Sequence, residues 1–232
     1  WLDNDGKYGR NLIFIPTENN VDTPNIDSLL NEWGMQVNPG YVYETSTDRL
    51  VSNSSPYIFT VDYTDYYTTG LKNPNIPVVT LFARSVTLSD SSVSHALLTT
   101  STSAGIYPTD ADDTWNYKNG VTGENINAAE GVKSNTDNAS SKVVVFGSYS
   151  MFTSDIMSYN SFNNSGYFMN MINTLADKDD AGITIEGKSM QNAELGITDA
   201  TTKNTLFVIF VIVVPVAVLV TGIVMWLRRR NK

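Results

Sequence analysis

Short apolar runs separated by polar, turn-rich stretches fill most of the chain, and one long apolar block closes it. Asn11-Leu12-Ile13-Phe14-Ile15 lies between Gly9 and Pro16 and predicts a buried strand. Thr23-Pro24 then supplies an N-cap and a proline at the first helical position. Ile26, Leu29, Leu30 and Trp33 recur at helical spacing until Gly34 stops the helix. Tyr41-Val42-Tyr43 and Tyr57-Ile58-Phe59-Thr60-Val61 are aromatic and β-branched runs, and Thr64 to Leu71 reads as a turn or short helix. Further strands are predicted at Pro77–Phe82, at His95–Thr100 and, most clearly, at Lys142–Gly147, which runs into Ser148 and a helix. Phe162, Phe168, Met169, Ile172 and Leu175 support a helix over 162–177, and Ile183-Thr184-Ile185 a last short strand.

Residues 103–141 break this rhythm. Gly, Asn, Asp, Ser and Thr dominate there and apolar periodicity is lost, so the segment is expected to be a long surface excursion with one short strand. Continuously apolar strands alternating with helices predict an α/β fold: a mostly parallel sheet flanked by helices, flavodoxin-like and incomplete at its N-terminus. The predicted organisation is an α/β domain over 1–188, a juxtamembrane linker over 189–205, a transmembrane helix over 206–227 and a basic tail over 228–232.

The membrane assignment rests on Leu206–Leu227, which contains no charged residue. As a helix it would extend about 33 Å, enough for a hydrocarbon core of about 30 Å. Pro215 and Gly222 are compatible with such a helix, because freed carbonyls find partners in neighbouring helices or local adjustments. Trp226 stands where an interfacial aromatic belongs, followed at once by Arg228, Arg229, Arg230 and Lys232. The positive-inside bias puts that tail in the cytoplasm and residues 1–205 outside it. Ala217, Thr221 and Gly222 offer a small-residue face for packing against another helix. Because the chain opens on Trp1 with no export signal, it is expected to be the C-terminal part of a longer protein.

Charge sharpens the division. Residues 1–205 carry 11 basic and 24 acidic side chains, against four basic and no acidic ones beyond. A body with that net charge repels phosphates, which argues against nucleic acid as a partner. With no cysteine, disulfide scaffolds, thiolate metal sites and cysteine nucleophiles are excluded.

Candidate chemistry is sparse. His95 is the one histidine and starts an apolar strand; it reads as a partly buried structural residue. A hydrolytic reading would need it beside Ser148, but Gly147-Ser148-Tyr149-Ser150 lacks the G-x-S-x-G pattern and reads equally as a turn and helix cap. Asp110–Asp113 and Asp177–Asp180 lack calcium-loop spacing, and no phosphate-binding loop is present. No cofactor, no metal and no catalytic activity are expected. One positional argument remains: ligands gather beyond the carboxyl ends of strands in open parallel sheets. Arg84-Ser85, Thr100-Ser101 and Ser148 each follow a predicted strand and together would form a surface for a glycan, peptide or partner protein, with ordinary turns as the alternative.

The order of segments resembles the Gld-type, gliding-motility-associated auxiliary proteins of ABC transport systems. The resemblance is carried by Asp22-Thr23-Pro24-Asn25-Ile26-Asp27-Ser28-Leu29-Leu30 with Trp33-Gly34, then Ala83-Arg84-Ser85 and Leu97-Leu98-Thr99-Thr100-Ser101. It continues in Val143–Ser148 and in Pro215, Thr221-Gly222 and Trp226–Arg230. It runs nearly the whole chain but fails over the Asn/Gly-rich 103–141. It implies an extracytoplasmic α/β domain distantly like domains of intraflagellar-transport and oligosaccharyltransferase subunits, an upstream half with another membrane helix, and an ABC permease with its cytoplasmic ATPase as partners. The expected function is thus a non-catalytic, membrane-anchored accessory subunit, with a stand-alone glycan- or peptide-binding receptor as the alternative.

Overall fold

The computed structural model describes residues 1–19, 21–51, 55–71, 73–178 and 200–230. It divides into two units, 1–183 and 184–232, each treated by itself.

The first unit is built on strands β1 (Asn11–Phe14), β2 (Met35–Val37), β3 (Tyr41–Glu44), β4 (Ile58–Tyr63), β5 (Val78–Leu81), β6 (Val86–Leu88), β7 (Ser94–Thr99), β8 (Ala104–Tyr107), β9 (Ile126–Ser134) and β10 (Ser140–Phe146). Its helices are α1 (Pro24–Glu32), the single turn α2 (Ser154–Ser158) and α3 (Asn164–Leu175). The main sheet runs β1-β10-β9-β7-β4-β5, with β6 on β9 and β2 on β6, while β3 and β8 form a separate ribbon. Among the described pairings only β1 with β10 is parallel; the others are antiparallel.

The sheet is therefore mixed and mainly antiparallel, and the expected mostly parallel, flavodoxin-like arrangement is overturned. Two physical facts explain the difference. First, continuous apolar runs report burial on both faces, not strand direction. On β10, Val143 and Val145 pack with Leu30, Trp33 and Met35 around α1, whereas Val144 and Phe146 pack with Tyr167 and Met171 around α3. Second, the segment expected to be a surface excursion contains β8 and the nine-residue β9, which lies between β10 and β7. It joins β10 through a tight turn at Asn135–Ala139, where Asn138 takes the left-handed conformation (φ 63°) that asparagine tolerates.

Why β9 escapes a hydrophobicity reading is visible in its neighbours. Ala128, Ala129 and Gly131 are small because helix and strand residues press on them: a Cβ at Gly131 would meet the carbonyl oxygen of Trp33 and lie 3.1 Å from both Trp33 Cβ and Met35 Cε. Close packing selects size there rather than apolarity.

Other elements follow the sequence. Helix α1 starts at Pro24 and gives way to Gly34 in a left-handed conformation (φ 74°). The Thr23 hydroxyl does not cap the backbone; it donates to Asp27 Oδ1 (3.3 Å). The helix expected after Ser148 is reduced to a 3-10 turn at Ser150–Phe152 and α2. The strand expected at 183–185 and most of the linker 189–205 lie outside the described residues.

In the second unit the apolar block is helical. Helix α4 (Ala200–Phe207) passes through a π-helical stretch at Val208–Val213 into α5 (Val214–Arg230). Pro215 accounts for the wide turn: it has no N–H to give Val211, and its ring crowds that carbonyl. Asn204–Arg230 spans 27 residues and contains an 18-residue window with a mean hydropathy of 3.1, so it is long and apolar enough to cross a membrane.

Candidate functional site

The pairings fix where strand ends fall. β7 is antiparallel to β9 and β9 to β10; β5 is antiparallel to β4 and β4 to β7. Hence β1, β5, β7 and β10 run the same way, separated by β4 and β9, and their carboxyl ends share one edge. Arg84 and Gly147 meet there through the bond from Arg84 N–H to the Gly147 carbonyl (2.8 Å).

The residues singled out at this edge have different fates. Arg84 lines a pocket of about 120 Å³ with Ile15, Thr17, Thr23 and Asp27. Its Nε donates to the Asn38 carbonyl (2.9 Å), and burial lowers the guanidinium pKa against the opposing pull of Asp27 and Tyr41. Ser85 is buried and accepts from Asn38 Nδ2 (2.9 Å). Ser148 is buried too, donating to the Leu81 carbonyl (2.5 Å) and accepting from Met151 N–H (3.3 Å). Thr100 donates to the Ser101 carbonyl (3.0 Å) and accepts from Asn125 N–H (2.9 Å). Ser101 donates to Glu44 Oε2 (2.7 Å). Ser85, Thr100 and Ser148 thus hold turns together, Ser101 braces the buried Glu44, and of the five Arg84 alone lines one of the two clefts described.

A hydrolytic pairing of His95 with Ser148 fails on geometry. His95 is level with Glu130 and Glu130 with Val144, so Ser148 lies four residues further along, about 13 Å at strand rise. His95 belongs instead to a charged cluster that sequence spacing did not announce. Glu130, 2% exposed, has its Oε1 3.5 Å from Lys142 Nζ and 3.7 Å from His95 Nε2, while its Oε2 accepts from the Tyr67 hydroxyl. Tyr66 stacks on the imidazole at 3.7 Å. Burial lowers the His95 pKa below its usual 6.5, partly countered by Glu130 and reinforced by Lys142.

The second cleft, of about 680 Å³, was also missed. Exposed Thr45, Thr47, Tyr117, Lys118 and Thr122 border it with the half-buried Leu50. Beneath it Glu44 is fully buried, its Oε1 taking Thr45 and Ser46 N–H (both 2.8 Å) and its Oε2 the Ser101 hydroxyl. A relay of rings adjoins it: Phe82 stacks on Tyr57, followed by Tyr107, Trp115, Tyr43 and Tyr117 at centroid spacings of 4.6–6.4 Å. Its only sequence signal was the density of aromatics on β3 and in the 115–117 turn, with Tyr107 on β8.

On α5, Thr221 spends its hydroxyl on the Val218 carbonyl (2.8 Å), and nothing crowds Gly222. Arg230 lies over the Trp226 ring at 5.4 Å; Lys232 is outside the described residues.

No family model and no curated protein matches the chain. A solved structure, the mmIFT52 N-terminal domain, is similar in fold, with a TM-score of 0.51 at 18% identity over 72% of this chain. The match spans 65% of that domain, just under two thirds of its length. At that identity the likeness concerns fold alone.

Proposed function

We propose that the chain is a non-catalytic, membrane-anchored accessory subunit of an ABC-type transport system. Its first unit lies outside the cytoplasm and binds a partner or substrate; Arg228, Arg229, Arg230 and Lys232 lie on the cytoplasmic side, where the ATPase works. The observation that carries this reading is the 27-residue apolar span ending in three consecutive arginines. The ordered resemblance to Gld-type auxiliary proteins supplies the permease as partner, and the open, small-residue surface at Gly222 supports helix-to-helix packing against it.

Affinity purification of the tagged full chain from its native membranes in mild detergent tests the reading. Permease and ATPase are expected to copurify in fixed ratio, and Gly222→Leu is expected to reduce their recovery severalfold without reducing the amount of subunit. A subunit recovered as a solitary monomer overturns the proposal and favours the stand-alone receptor.

A further inference from the structure

The cleft over Glu44 has the features of a sugar site. We propose that it binds a neutral glycan, with Tyr117 as the ring against which a sugar face stacks and Thr45, Thr47 and Thr122 presenting polar groups around it.

Four observations carry this. The lining carries one carboxylate and one ammonium, Glu44 and Lys118, so no net charge selects an ion. Glu44 is sealed from solvent with three hydrogen bonds and acts as a positioning residue that fixes the Thr45–Ser46 backbone and Ser101, while Lys118 at the mouth repels cations. Anions are disfavoured by the acidic body. What remains suited to exposed threonines and an exposed tyrosine is an uncharged, polyhydroxylated ligand with an apolar face.

The wall itself is specialised. Gly105 and Gly120 leave room for the Tyr43 ring, whose hydroxyl is buried behind Gly120 without a hydrogen-bond partner among the described residues. Such a group costs free energy unless a polar partner arrives. An extended peptide is a poorer occupant, because strand addition needs a free edge and both edges of the β3–β8 ribbon are taken. Val42 and Glu44 N–H bond to the Ala83 and Pro56 carbonyls on one side, and Gly105 bridges Thr122 on the other. Moreover, Tyr117, Lys118, Gly120 and Thr122 all come from 103–141, where the resemblance to the auxiliary family fails, so the site is a property of this chain.

The proposal rests on the outside placement of the first unit, not on the permease; copurification can fail while sugar binding holds, and the reverse. The test uses the full chain in phosphatidylcholine nanodiscs, free of alkyl-glycoside detergent. It is applied to an array of neutral gluco-, manno- and N-acetylglucosamine oligosaccharides, and the brightest one is then titrated while tryptophan fluorescence is followed. Saturable binding with a change in tryptophan emission is expected, Trp115 being the indole beside the cleft, and affinity is expected to fall about tenfold or more in Tyr117→Ala. Tyr159→Ala, an exposed ring elsewhere on the unit, is expected to bind like the parent. Unchanged thermal midpoints show that both variants fold. Absence of saturable binding across the array, binding indifferent to Tyr117→Ala, or preference for an unstructured peptide overturns the proposal.

Discussion

At the scale of residues, the charged cluster under Tyr66 and Tyr67 is expected to make the first unit sensitive to acid. Glu130 is held among Lys142, His95 and Tyr67, and His95 Nε2 is buried with no hydrogen-bond partner among the described residues. The folded pKa of His95 lies below the unfolded value near 6.5, chiefly through desolvation. Above the unfolded pKa both states hold a neutral imidazole and the residue contributes no pH dependence. As pH falls through that value the unfolded chain takes up the proton first, so stability declines until the folded pKa is passed and then levels off. The midpoint of thermal unfolding, followed by tryptophan fluorescence between about pH 7.5 and pH 5.5, is therefore expected to fall further in the parent than in His95→Gln. Equal slopes for the two proteins would show that Glu130 compensates the protonated ring fully.

At the scale of elements, β9 decides the architecture. It pairs with β10 over seven positions and with β7 and β6 on its other edge. It fits beneath α1 only because Gly131 presents no side chain to Trp33 and Met35. Gly131→Val adds β-branched bulk favourable for an isolated strand, yet it is expected to destabilise the unit by about 1–3 kcal/mol through overpacking. Denaturant titration checks this, and a neutral or stabilising result would mean that α1 moves aside at little cost. The same element marks the limit of reading apolar runs. β1, β5, β7, β10 and α1 were all legible, because each buries large side chains at a recognisable period. β8 and β9 were not, because Ala, Gly and Asn at close-packed positions look like loop composition. The one-turn α2 likewise replaced an expected longer helix, since Ser148 spends its hydroxyl on Leu81 and Met151 in a turn.

At the scale of the whole molecule, two features set behaviour: the acidic first unit and the apolar span with its arginine end. With no native cysteine, single introduced thiols report topology cleanly. Tyr159→Cys is exposed on the first unit and, on the proposed topology, is expected to react with a membrane-impermeant maleimide in intact cells. Lys232→Cys is expected to react only after permeabilisation. The reverse pattern would place the arginines outside and remove the transport reading.

The sequence alone determined what one-dimensional chemistry can carry: an uncharged segment of membrane length, its basic end, the lopsided charge, and the strands and helices that bury large side chains. Its reading of sheet direction was wrong, because two-sided burial looks the same in parallel and antiparallel strands. Only the tertiary structure decided that β9 occupies the middle of the sheet. It likewise separated His95 from Ser148, and gathered Glu44 and Tyr117 around one cleft from segments more than seventy residues apart. Spacing along a chain reports local periodicity, whereas which distant residues share a cleft depends on pairings between segments that no local pattern encodes.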